Sequence, residues 1–151
     1  MKNLHRYLLL DFPVKLKALE PDAKARFGEM NVIQMLDHLR KAFVLSYSQG
    51  DIEVRTPEEH IERAQAFLAS DKPILPGAEI PREYADIEAI EDDLDEMKLL
   101  VLKEMVAMLS HYENNPRFSQ NHPVFGRLTR RQWLQLHKKH TEHHLRQFGI
   151  D

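Results

Sequence analysis

Between residues 87 and 112 the apolar side chains Ile87, Ile90, Leu94, Met97, Val101, Met105, Met108 and Tyr112 recur in steps of three and four. A stripe of that period and length fits one side of an α-helix and excludes a strand, whose side chains alternate with a period of two. The spacing predicts a helix from Glu83 or Asp86 to Tyr112. Its acid-rich start (Glu88, Glu91, Asp92 and Asp93) suits the positive end of a helix dipole, and Asn114, Asn115 and Pro116 end it.

The rest of the chain carries the same signal. Asn31 and Gln34 have the spacing of a reciprocal capping pair ahead of a helix that runs to Ser48, with Gly50 as its stop. Thr56-Pro57-Glu58-Glu59 reads as an N-cap threonine with proline in the first helical position, opening a helix to about Ala69. Thr129 and Gln132 repeat the capping pair ahead of a last helix reaching Phe148. Pro13 and Pro21 break about the first forty residues into short helical pieces, with Leu4, Leu8, Leu16 and Leu19 as candidate inner faces. Residues 70–82 hold Pro73, Pro76, Gly77 and Pro81 and form an irregular crossover. Only 5 glycines occur and no run alternates convincingly, so the fold class is all-α, a four-helix bundle with one long crossover. At 151 residues a single domain over 1–151 is expected.

Composition narrows the function classes. The net charge of −3 supplies no positive field for phosphates, so no nucleic-acid partner is expected. With 0 cysteines, any metal must sit on nitrogen and oxygen, and thiol chemistry would need a thiol from a cosubstrate. The three leucines before Asp11 are too few for a signal-peptide core, and no stretch is long enough to span a membrane. A cytoplasmic location without membrane contact is the expectation.

The 9 histidines are the chemical signal, and several crowd into LHKKHTEHHLRQF of the last helix. At about 100° per residue, His140 and His144 fall near the middle of a face shared with Trp133, Leu136, Gln147 and Phe148. His137 and His143 lie at its two edges, and Lys138, Lys139 and Arg146 supply the solvated side. Imidazoles at i and i+4 on an inward face can share one metal ion. They can also be hydrogen-bonded core residues, although both would then need buried partners. In the helix from Asn31, His38 points to the flank of the stripe Val32, Met35, Leu36, Leu39 and Phe43, where helix packing is its default role.

The segments NVIQMLDHLRKAF and HPVFGRLTRRQWLQLHKKHTEHHLRQFG together resemble the DinB-like superfamily, in particular a branch with a QML-x-HL segment and a HHLRQFG-like end. The resemblance runs from Asn31 to Gly149 and implies a four-helix bundle with a metal on one histidine of the second helix and an H-x-x-x-H pair of the last. Carried over, those ligands are His38, His140 and His144, with nitrogens about 2.0–2.2 Å from the ion. The superfamily's frequent His-x-Gly-Gln ending here reads His144-Leu145-Arg146-Gln147, keeping the glutamine. The resemblance further implies a divalent ion (zinc or nickel first, iron or copper next), a low-molecular-weight thiol as cosubstrate, and a transferase or hydrolase acting on a small molecule. The alternative it leaves is a non-catalytic, stress-related bundle. His137, one turn from His140, is the candidate for handling a proton, against its reading as an exposed helix residue. A homodimer is expected from the superfamily's habit and from Leu99, Leu100, Leu102 and Leu109, which lie off the main stripe.

Overall fold

The computed structural model describes residues 1–48, 50–77 and 91–151. The chain is mostly helical, with one two-stranded sheet. In order the elements are α1 (Lys2–Arg6), a π-helical turn (Tyr7–Asp11), α2 (Phe12–Lys17), α3 (Val32–Tyr47), α4 (Glu58–Ala69), α5 (Leu94–Asn114), β1 (Ser119–His122), β2 (Gly126–Thr129) and α6 (Arg130–Gln147).

Pro13 does not break the N-terminal helix into pieces. Backbone dihedrals stay right-handed helical at the junctions on both sides of the π turn, and Pro13 sits in the first turn of α2. The missing N–H of proline costs little there, and the wider π register precedes the point where its ring would meet a carbonyl four residues back. Tyr7, Leu8, Phe12, Leu16 and Leu19 are buried, whereas Leu4 is half-buried.

α3 starts as its sequence predicts. The Asn31 side chain accepts from Gln34 N–H at 2.8 Å while the Gln34 side chain accepts from Asn31 N–H at 2.9 Å. It ends at Tyr47 because Ser48 turns extended, not because Gly50 adopts a left-handed cap. α4 begins one residue later than expected: Pro57, with extended ψ, is the N-cap, and the Thr56 side chain makes no cap. Residues 91–93 lie outside a helix, and Asp93 caps α5 by accepting from Glu96 N–H at 2.9 Å. Ile87, Ile90 and the expected start at Glu83 or Asp86 fall outside the described residues.

Against the all-α expectation, β1 and β2 pair antiparallel, Ser119 opposite Thr129 and His122 opposite Gly126. Gly126 adopts φ +72° at the turn, a conformation that favours glycine. The hairpin runs directly into α6, whose Thr129–Gln132 capping box is complete.

α3 packs most extensively on α5, and α6 touches α3, α4, both N-terminal helices and β2. Their buried apolar side chains form one cluster, with Trp133, Phe12, Phe43 and Tyr112 its largest members. Tyr7 donates its hydroxyl hydrogen to Thr141 Oγ1 at 2.9 Å, and Thr141 in turn donates to the His137 carbonyl at 2.8 Å. That chain of bonds pins the N-terminal helix to the middle of α6. Leu109 is buried in this core, Leu100 and Leu102 are half-buried and Leu99 is exposed. Among the described residues no helix is long and apolar enough to cross a membrane.

Candidate metal centre

α3 and α6 meet at three imidazoles. His38 Nε2 lies 2.9 Å from His140 Nε2, which lies 3.1 Å from His144 Nε2. The ring centroids are 4.7–4.8 Å apart and each pair of rings is steeply inclined, by 72–77°. The rings therefore splay outward while their Nε2 atoms converge. His38 is buried on the α6 side of α3, so the flanking position its helical period gives it faces the partner helix.

The orientation of His144 is set from outside the cluster. The Gln147 side-chain amide donates to the Phe27 carbonyl at 2.8 Å, which fixes which end is oxygen. Its Oε1 then accepts from His144 Nδ1–H at 2.8 Å. The His144 proton is on Nδ1, so a lone pair on Nε2 points into the cluster. An imidazole oriented by a hydrogen bond on its far nitrogen is the usual arrangement at metal sites. Gly28, at φ +78°, lets the loop approach this close: a Cβ there would lie 2.5 Å from the Gln147 amide nitrogen.

Neutral tautomers do not settle such a cluster. His140 Nε2 either carries a hydrogen, and can give it to one neighbour only, or carries a lone pair that faces the one on His144. Protonation is opposed as well. Burial, followed by the neighbouring imidazoles, holds His140 well below the usual histidine range. Burial also pushes His144 down to about 3, with Gln147 partly opposing. One cation accepting all three lone pairs removes the conflict. Nitrogens about 2.1 Å from a shared ion, at angles of roughly 90–110°, stand about 3.0–3.4 Å apart, close to the spacings here. All three ligand atoms lie within 4.8 Å of one another. The donor set fits a divalent ion of the imidazole-preferring kind.

The cluster opens onto a cavity of about 1190 Å³. Its walls include Ile74 and Leu75 after α4 and His122, Val124 and Phe125 of the hairpin, together with Phe67 and His137. His137 is buried, not exposed, packed between Phe43 at 4.8 Å and Trp133 at 5.8 Å. Burial lowers it to about 3, and its Nε2 has no hydrogen-bond partner. His143, at the other edge of the face, donates from Nδ1 to the Ile74 carbonyl at 3.1 Å.

Two residues that shape this site were not singled out by sequence. Lys139, expected on the solvated side, is buried; its ammonium donates to the Ser70 carbonyl at 2.7 Å and also to the Lys72 carbonyl, and sits over the Phe67 ring at 4.7 Å. Together with His143 it ties residues 70–74 to α6. His122 accepts at Nδ1 from Val124 N–H and Phe125 N–H, at 3.0 and 3.2 Å, so its own proton sits on Nε2. A lone histidine in a polar stretch gives no periodic signal. The only available hint was the Pro-Val-Phe-Gly run after it, which marks a turn.

The profile of one protein family matches residues 58–150, more than half of the chain. The chain belongs to that family, described as "Protein of unknown function (DUF1569)". The matched span contains His140, His144, the hairpin and α4, while His38 lies before it. No curated protein and no solved structure matches the chain.

Proposed function

We propose that this chain binds one divalent metal ion through Nε2 of His38, His140 and His144, and acts as a metal-dependent transferase or hydrolase on a small molecule. The observation that carries the reading is the convergence of three Nε2 atoms, one oriented by Gln147, at the edge of a cavity. The expected metals are zinc or nickel, then iron or copper. Such an ion supplies a Lewis acid that makes a thiol or a water far more acidic than in bulk solvent. The chain's own part is to hold three neutral nitrogens in place, to leave one side of them open to the cavity, and to exclude bulk water with Ile74, Phe67 and Phe125. His137 is the candidate for passing a proton, being neutral and set in the same wall. With no cysteine in the chain, a thiol-dependent reaction would use a low-molecular-weight thiol as cosubstrate.

The helical packing supports a DinB-like four-helix bundle in a single domain over 1–151. In this reading the N-terminal helical run, α3, α5 and α6 are its helices, and α4 belongs to the crossover. A cytoplasmic homodimer with neither nucleic-acid nor membrane partners completes the reading. The competing function, a non-catalytic stress-related metal binder, shares the ligand set; the open cavity favours catalysis. The test is metal analysis of the purified protein, then a screen of zinc- and nickel-loaded protein against pairs of low-molecular-weight thiols and electrophiles, with hydrolysable esters and amides alongside. Turnover that disappears in His140→Ala supports catalysis. A tightly held metal without turnover favours the binding role, and no retained metal removes both.

A further inference from the structure

The cavity beside the histidine cluster also bears on what it accepts. Away from the three Nε2 atoms the described part of its wall is mostly apolar and aromatic, and includes Phe67 and Phe125 stacked at 6.4 Å, Leu75, Val124 and, on α3, Ala42. Among the described residues, the acidic and basic side chains that line it are Glu29 and Lys72, and both are solvent-exposed. Among the described residues a charged group on a ligand would therefore find no buried counter-ion, and removing it from water would be costly. One polar atom does ask for a partner. His137 is 1% exposed, lines the cavity, and leaves Nε2 buried without a hydrogen bond. Unsatisfied buried groups of that kind are destabilising unless a ligand or water meets them. Phe43 and Trp133 fix the ring on either side, so the group is held in place before anything binds.

We propose that the cavity takes a small molecule with an apolar, ring-sized body bearing one uncharged hydroxyl or carbonyl group, and that His137 Nε2 hydrogen-bonds to that group. The volume, a little above the roughly 300–1,000 Å³ of ordinary ligand sites, accommodates a two-ring body with room left at the histidine cluster. Any anionic end of such a ligand belongs at the cluster, not against Phe67 and Phe125. This narrows the substrate of the proposed reaction and rests on that reading for its catalytic meaning. The binding itself does not need the metal.

The experiment uses four probes of one shape: 2-ethylnaphthalene, 2-acetylnaphthalene, 1-(2-naphthyl)ethanol and 2-naphthoate. Affinities are measured by titration calorimetry on chelator-treated and on zinc-loaded protein, with zinc content recorded separately. The neutral probes should bind both forms, and naphthoate should bind the chelated form more weakly than the others. Against the hydrocarbon, the preference for the ketone or the alcohol should fall about fivefold in His137→Phe, the contribution of one neutral hydrogen bond. His137→Gln should restore part of it. On the wild type, the ¹⁵N resonance of His137 Nε2 should move with ketone or alcohol and stay in place with the hydrocarbon; this reads the contact even if the phenylalanine variant fails to fold. Naphthoate as the tightest ligand of the chelated form overturns the proposal, as does an unchanged preference in His137→Phe, or a preference present only with zinc. Zinc content near zero with the probe pattern intact would instead sink the metal reading and leave the ligand class standing.

Discussion

Replacing Gln147 with leucine separates the orientation of a ligand from its presence. Gln147 is buried, accepts from His144 Nδ1–H at 2.8 Å and donates to the Phe27 carbonyl at 2.8 Å. Leucine keeps most of the volume and removes both bonds. The His144 ring then loses what fixes its tautomer and its angle, and loss of such an outer partner lowers metal affinity by 10–100-fold at known sites. At saturating zinc that is about 1.4–2.7 kcal/mol less stabilisation of the folded chain by the ion. The metal-free fold should lose only about 1 kcal/mol, because the Phe27 carbonyl is part of a half-exposed loop and the core around Trp133 is untouched. Zinc affinity is read by competition against a chromophoric chelator, and metal-free stability by urea unfolding. Zinc affinity within twofold of wild type, in a variant that unfolds normally, would show that the Gln147 bond orients nothing that matters to the ion.

Three further outcomes follow from the same geometry. His140→Ala and His144→Ala should each lose tight zinc binding while keeping the helical circular-dichroism signal without metal, since neither ring belongs to the apolar cluster. His143→Ala should retain zinc, because its Nδ1 is committed to the Ile74 carbonyl; equal loss in all three variants would mean that the helix face, not the trio, binds. Burial lowers His122 and His137 to about 3 in the folded chain, against about 6.5 when unfolded. The unfolded chain then takes up protons first, so their contribution is complete above pH 6.5 and is lost as pH falls toward 3. Urea unfolding of metal-free protein between pH 7 and 4.5 should show that decline, at up to about 1.4 kcal/mol per pH unit for each ring. His137→Phe should make it shallower, since His122, His140 and His144 keep their own lowered values, and a wild-type profile already flat would contradict the burial of these rings.

Most of the helical frame was legible because helix starts are local chemistry. Asn31 with Gln34 and Thr129 with Gln132 close their capping boxes within four residues, and no distant contact is needed to form them. Thr56 misled by one position because Pro57 there stays extended and takes the cap itself. The hairpin was not legible: SQNH and GRLT are four residues each, largely polar, and their burial alternates only because α6 and the core lie against one side. His140 and His144 followed from the helical period. His38 did not, since the period shows a helix's stripe but not which neighbour covers its flank. Lys139 and His137 were misread for a related reason: the segment after α4 crosses α6 at Lys139, and Phe43 of α3 packs on His137, each covering what would otherwise be a solvated edge. That crossing is a tertiary fact with no local signature.

The central claim is that His38 of α3 shares one ion with His140 and His144 of the last helix. It is tested most directly by stripping wild type and His38→Ala with chelator, reloading each with one equivalent of zinc in the presence of a weak competing chelator, desalting, and measuring metal per chain. The account predicts close to one zinc per chain in the wild type and little in His38→Ala. Equal metal in the two proteins would contradict it.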